Sequence, residues 1–369
     1  MTTIEGDALH IVAAGDIPDA RRRRGLMLMA LGSFGLLAAI LVCSLQETGA
    51  LDLGISSWRP VLYAYLGWAV ALAFAQVLVR GEQGKRTLFL MPAVLFTVAM
   101  VIFPMVFGVS IALSDWNLSA FEGRKFNGLA NFYAMLEDPF YWNALRNTVW
   151  YVLAVLVEYA IAFGLALLLN AEIRARKFWR VTFLLPLMLS PVAVSWMIGK
   201  SLMEYRFGPA ATFARWLGWE NPAFFTSPEI ARLSIMVMDA WTYIPFMMIM
   251  LLAGLQAMPK EVMEAAKVDG ATGWQGFWKI TFPLMLPVSV TAVVLRIIFK
   301  LKLADIVINV TAGGPGGATD TVTSFIFREY RDRSNVGYGT MLAFIYLILI
   351  ILFITLLLNL TSRYMRRMT

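Results

Sequence analysis

At 369 residues the chain is 59 % hydrophobic and only 15 % charged, with 12 Trp, 25 Phe and a mean hydropathy of +0.69, which excludes an ordinary soluble domain. Its net charge of +7 would fit nucleic-acid binding. Lys and Arg collect in the cytoplasmic loops of membrane proteins, however, so the charge is read as topology and nucleic acid is not an expected partner. The single cysteine, Cys43, excludes an internal disulfide framework.

Apolar runs recur at the length an α-helix needs to cross ~30 Å of hydrocarbon. Only helices or closed barrels satisfy their backbone groups in lipid, and runs this long indicate helices. The first 24 residues form a polar tail that holds the only histidine, His10, read as solvated, and ends in four arginines, Arg21 to Arg24. A basic run before an apolar segment also fits a signal peptide. The apolar run continues to Leu45 without an A-x-A site, and Val42 rather than a small residue precedes Cys43, so an uncleaved first span is expected. Eight spans follow in chain order, at about 25–45, 59–79, 87–113, 147–169, 181–200, 232–256, 283–303 and 338–361. The expected fold is therefore an all-α membrane protein with eight transmembrane helices. With the N-terminus inside, the inner segments hold 17 Lys and Arg and the longer outer segments hold 8, which predicts both termini cytoplasmic.

No Cys/His/Asp/Glu cluster has metal-ligand spacing, and no GxxxxGK[ST], GxSxG or HExxH pattern occurs. No metal site, catalytic residue or nucleotide site is expected in this chain. Of the charges within or close to the spans, six are singled out as embedded: Glu158, Asp239, Arg296, Lys300, Lys302 and Asp305. Charges in the bilayer are costly and are functional candidates by default. Arg296 and Lys300 are four apart and share a helical face. Two readings stay open for them: an internal ion pair with Asp239, or contact with a passing solute. No partner for Glu158 is evident.

One polar stretch, Glu264 to Pro283, breaks the apolar pattern between two spans. Pro259 fits a helix start, PKEVMEAAKVD has helical propensity, and Gly270 fits a left-handed helix end. Trp274, Phe277, Trp278 and Ile280 form a second short amphipathic turn, whose aromatics need lipid headgroups or a partner to cover them. This stretch resembles the coupling motif of the permease subunits of binding-protein-dependent ABC importers. The matching residues are Glu264-Ala265-Ala266, Asp269-Gly270-Ala271, Phe277, Ile280 and Phe282-Pro283, preceded by Gly254-Leu255-Gln256 and Pro259. Thr311-Ala312-Gly313-Gly314-Pro315 is similar to a Thr-x-Gly-Gly-Pro motif of carbohydrate permeases of the maltose type.

The resemblance implies a transport subunit rather than an enzyme. It implies a cytoplasmic tail 1–24, two extra N-terminal helices in 25–86, a six-helix permease core 87–361 with its coupling loop 257–282, and a basic tail 362–369. Glu264, Ala265, Ala266, Asp269, Gly270 and Ala271 would dock on a separate ATPase, which carries ATP and Mg; this chain holds no cofactor. The family's sugar route would map to Asp239, Trp241, Tyr243, Arg296, Lys300 and Leu303, the aromatics facing sugar CH surfaces. Implied partners are a second homologous permease, two ATP-binding cassette subunits and a soluble capture protein, at the bacterial inner membrane. The implied cargo is a sugar or sugar derivative. Two basic residues on one face point alternatively to an anionic derivative (phosphate, sulfonate or uronate), and a polyol fits the same machinery. A membrane sensor or enzyme of another class would need an output domain or catalytic spacing, and neither is present. A large inserted outer domain is absent, since segment 114–146 is short.

Overall fold

A computed structural model describes residues 18–47, 54, 57–121 and 123–365, so His10 lies outside the described residues. The described chain is helical apart from one two-residue β-hairpin. It divides into two compact units, residues 1–107 and 108–369.

In the first unit, α1 (Asp19–Glu47) includes the four arginines, so the helix starts before the expected boundary at residue 24. α2 (Arg59–Thr97) runs through a wide turn at Val98–Ile102 into α3 (Phe103–Ala112). Residues 80–86, expected as a loop, are helical except at Gly81, whose φ is 56°. Only a residue without Cβ takes that conformation freely. The chain reverses there. The Tyr65 hydroxyl donates to Leu95 O at 2.6 Å, although thirty residues of straight helix would span ~45 Å. Gly84 lies against Gln76, where a Cβ would come within 2.0 Å of the carbonyl oxygen. α1 packs on this hairpin through small residues, as membrane helices do: Gly25 meets Val79, Gly32 meets Ala71, and Trp68 Nε1 donates to Ser33 Oγ at 3.1 Å.

The second unit takes in the end of α3 from Gly108 and continues with β1 (Ser114–Asp115) paired antiparallel to β2 (Lys125–Phe126), then α4 (Ala130–Glu137). α5 (Pro139–Asn170) starts where Asp138 accepts the Phe140 N–H at 2.9 Å and Pro139 occupies the first turn. The expected straight span 181–200 is bent. α6 (Arg176–Leu184) and its 3-10 extension meet α7 (Pro191–Val194) and its wide-turn extension to Leu202 at 97°. Pro186 and Pro191 lack the N–H a continuous helix needs, and Ser190 Oγ accepts the Ala193 N–H at 3.2 Å to start the second arm. α8 (Pro209–Trp216), α9 (Pro228–Ala257), α10 (Lys260–Val268), α11 (Gly273–Gly276) and α12 (Phe282–Leu301) follow. α13 (Asp305–Val310), α14 (Val322–Arg331) and α15 (Val336–Met365) complete the unit.

By length and composition six helices of the described residues can cross a membrane: Asp19–Gln46, Arg59–Ala112, Pro139–Asn170, Pro228–Ala257, Gly273–Leu301 and Val336–Arg363. The bent pair makes a seventh if both arms form one span. α5, α9 and α12 form the centre of the unit, with Val155, Phe163, Ala166, Met248, Leu251 and Met285 buried between them. Gly254 lets α9 approach α12, since a Cβ there would lie 2.9 Å from Met285. Around this trio, α4, α14 and α15 bury Tyr141, Phe325 and Leu342, while α7 and α13 bury Ile235, Met238 and Val307 against α9.

Candidate functional site

Each helix of the central trio brings charge to one point. Glu158 of α5 lies between Arg296 and Lys300 of α12: Arg296 Nε donates to Glu158 Oε2 at 2.7 Å and Lys300 Nζ to Oε1 at 2.7 Å. Asp239 of α9 accepts from Arg296 Nη2 and Lys300 Nζ through Oδ2. Every one of these side chains is at most 3 % exposed. Two cations bridge two anions, so no net charge is buried and each carboxylate receives charge-assisted bonds. The Arg296 guanidinium also lies 4.6 Å from the centre of the Tyr243 ring. Its Nη1 has no hydrogen-bond acceptor among the described residues.

The ion-pair arrangement left open by the sequence is thus present and is larger than a pair, because Glu158 joins it. Sequence reasoning missed that partner, although Glu158 and Asp239 are the only acids inside the expected spans. The other route candidates lie around the cluster. Tyr243 is half-buried beneath Arg296. Leu303 is buried beside Tyr151 and Ile306. Trp241 is 40 % exposed and lines an apolar cavity of about 480 Å³ with Met197, Ile198, Leu202, Val237 and Met238. Lys302 is exposed at the end of α12.

The polar stretch folds into a corner. α10 starts after Pro259 and ends at Asp269, and Gly270 takes φ 75°, as its place at a helix end predicts. The Ala271 N–H donates to Ala266 O at 3.0 Å and the Gly270 N–H to Lys267 O at 3.1 Å, a paired closure that satisfies the last carbonyls of the helix. Thr272 then caps α11: its hydroxyl accepts the Gln275 N–H at 3.3 Å, and Gln275 Oε1 accepts the Thr272 N–H at 3.0 Å. The corner is held from one side. Ala266 is buried, Thr281 Oγ1 lies 3.8 Å from Met263 Sδ, and Phe277 packs edge-on to Phe163 of α5 at 5.6 Å. Glu264, Ala265, Asp269 and Gly270 face out, and Ala271 is half-buried. Phe277 is thus covered within the chain, whereas Trp274 is 73 % exposed and Val268 87 % exposed.

The Thr-x-Gly-Gly-Pro loop joins α13 to α14. Thr319 Oγ1 donates to Gly314 O at 2.9 Å, and Gly313, at φ 84°, sits where a Cβ would lie 2.3 Å from Asp320. Glycine is the residue that fits. Burial pushes the Asp320 carboxyl up to about 6, against the opposing pull of Arg328, with which it is paired.

Membrane-length helices, a neutralised charge cluster between three of them and a rigid polar corner at the foot of α9 and α12 define a membrane-embedded transport subunit. The sequence pattern of the binding-protein-dependent transport system inner membrane component matches residues 160–367, and the chain belongs to that family. Its members are permease subunits of ABC importers, not enzymes. The chain is 33 % identical over 265 residues to the sulfoquinovosyl glycerol transport system permease protein of Agrobacterium fabrum, covering 71 % of this chain and 85 % of that one. It is 30 % identical to the trehalose/maltose transport system permease protein of Thermococcus litoralis, covering 72 % and 90 %. Its fold is similar to a crystal structure of a bacterial ABC transporter that imports the acidic polysaccharide alginate, with a TM-score of 0.65 and 21 % identity over 74 % of this chain and 94 % of that one.

Proposed function

We propose that this chain is one permease subunit of an ATP-driven importer that carries a sugar or sugar derivative into the cytoplasm by alternating access. The observation that carries the proposal is the corner at residues 259–281. It is fixed to α5 through Phe277 on Phe163 and to α12 through Phe277 on Phe282, while Glu264, Ala265, Asp269 and Val268 stay exposed. A joint needs both properties, a firm attachment to the spans and a free face for the motor. The names of the relatives, permeases of the sulfoquinovosyl glycerol and trehalose/maltose transport systems, support the cargo class.

In this reading, closure of two ATP-binding cassette subunits pulls the corner and tilts α9 and α12 together. ATP and Mg stay on those subunits. A second homologous permease completes the pore. A soluble capture protein delivers the solute, as in the alginate importer solved with its periplasmic protein. Both termini lie in the cytoplasm and the chain crosses the inner membrane eight times. The eight-span count draws support from the reversal at Gly81, which divides Arg59–Ala112 into two crossings, and from the bent pair as one further crossing. The route follows Trp241 and Tyr243, with Leu303 in its wall. Asp239, Arg296, Lys300 and Glu158 hold α5, α9 and α12 in register beside it. Affinity purification of the full chain from native membranes tests the class: an ATP-binding cassette subunit copurifies. Recovery of the chain alone under mild detergent contradicts the proposal.

A further inference from the structure

The cations that the sequence offers to an anionic solute, Arg296 and Lys300, are each bonded to two carboxylates. A different pair is not. At the end of α9 that carries Pro228, a cavity of about 430 Å³ is walled by Asn143 and Arg146 of α5, Glu229 and Arg232 of α9, and Gly316 and Ala318 of the loop before α14. Arg146 Nη2 donates to Asn143 Oδ1 at 2.8 Å and Arg232 Nε donates to Ala318 O at 3.2 Å. Among the described residues neither arginine has a carboxylate within 4 Å.

Two further features make this wall positive, against one acid. The cavity opens at the N-terminus of the 30-residue helix α9, the positive end of its dipole. Gly316, at φ 57°, has open space where a Cβ would stand, and its N–H donates to no acceptor among the described residues. Free backbone N–H groups in such turns form anion-binding concavities. Glu229, the one acid in the wall, is exposed, pairs with neither arginine and lies in the first turn of α9, where the helix end offsets its charge. The cavity has the size of a small-molecule site.

We infer that this cavity is an anion-selective receiving site, which takes a carboxylate, sulfonate or phosphate group of the transported solute as it leaves the capture protein. The inference rests on the importer reading above and narrows its cargo to acidic sugar derivatives. Arg146 and Arg232 grip the anion with two forked donors, and Gly316 adds a backbone N–H. The charged cluster deeper in the spans then serves structure, and selection for charge happens at the mouth.

The test uses the purified full-length chain in nanodiscs of zwitterionic lipid, titrated with glucuronate, glucose and inorganic sulfate by ligand-observed NMR. Glucuronate is expected to bind at least about tenfold more tightly than glucose, with sulfate competing. Arg146→Gln should weaken glucuronate about tenfold and leave the fold intact, because its one hydrogen bond is to Asn143. Arg232→Gln should do the same, and Lys302→Gln should change nothing. Equal binding of glucuronate and glucose overturns the inference. So does unchanged glucuronate binding in the Arg146→Gln/Arg232→Gln double variant, and so does binding of sulfate alone, which marks an adventitious anion site. An ATPase that copurifies with a chain indifferent to glucuronate leaves the importer reading standing and removes this site. Glucuronate binding without any ATPase does the reverse.

Discussion

The charge cluster and the polar corner solve opposite problems with the same kinds of residue. At the cluster, Glu158, Asp239, Arg296 and Lys300 satisfy one another and are closed to water. At the corner, Glu264 and Asp269 stay exposed, and order comes from backbone geometry at Gly270 and Thr272. Charge inside the spans must be cancelled within the chain because lipid offers no partner. Charge at the foot of the spans can be left for another subunit. A polar group that the chain satisfies itself therefore marks structure, and one that the chain orders but leaves open marks an interface.

The contrast is most easily broken at the cluster. Arg296→Gln strands two carboxylates on one ammonium and is expected to cost roughly 3–5 kcal/mol. The loss would be read as a lower melting temperature and poor recovery from detergent. Adding Asp239→Asn should restore most of it, because Lys300 and Glu158 remain a neutral pair. A double variant as unstable as the single would show that the charges do not act as a unit.

At the corner the expected effects on stability are smaller, and on the proposed reading they fall on uptake. Gly270→Val places a β-branched side chain at positive φ, at roughly 1–2 kcal/mol. The chain should still insert, and the capture protein should still bind its solute, while uptake fails. Thr272→Ala removes the cap of α11 and should cost about 1 kcal/mol, seen as faster hydrogen exchange confined to residues 272–276. Protection unchanged there would mean that the cap is idle.

Sidedness sharpens the comparison without changing energies. Single cysteines at Thr226 and Thr272, on a Cys43→Ala background, should label from opposite sides with an impermeant reagent. Labelling of both from outside would remove the corner from the cytoplasm.

The spans were legible in the sequence because lipid demands long apolar helices, and the corner was legible because Gly270 and its flanking caps are local signals. The cluster was half legible. Arg296, Lys300 and Asp239 stood out, yet Glu158 needed a step of charge balance: two interior cations call for two interior acids. The reversal between the second and third expected spans was placed in 80–86, but its form was not legible: the segment stays helical and a single positive φ at Gly81 turns the path. The 97° bend after Met188 was signalled by Pro186 and Pro191, which the apolar run around them masked. The cavity between Arg146 and Arg232 depends on residues from α5, α9 and the α13–α14 loop meeting in space, and no local pattern announces that.

The central claim is that the open face of the corner meets a motor subunit. A photo-crosslinking residue in place of Val268, the most exposed large hydrophobic side chain of α10, tests it in native membranes. An adduct with an ATP-binding cassette subunit, absent when the same residue replaces Trp142 at the start of α5, is the predicted result. Adducts with lipid alone, or equal capture from both positions, would contradict it.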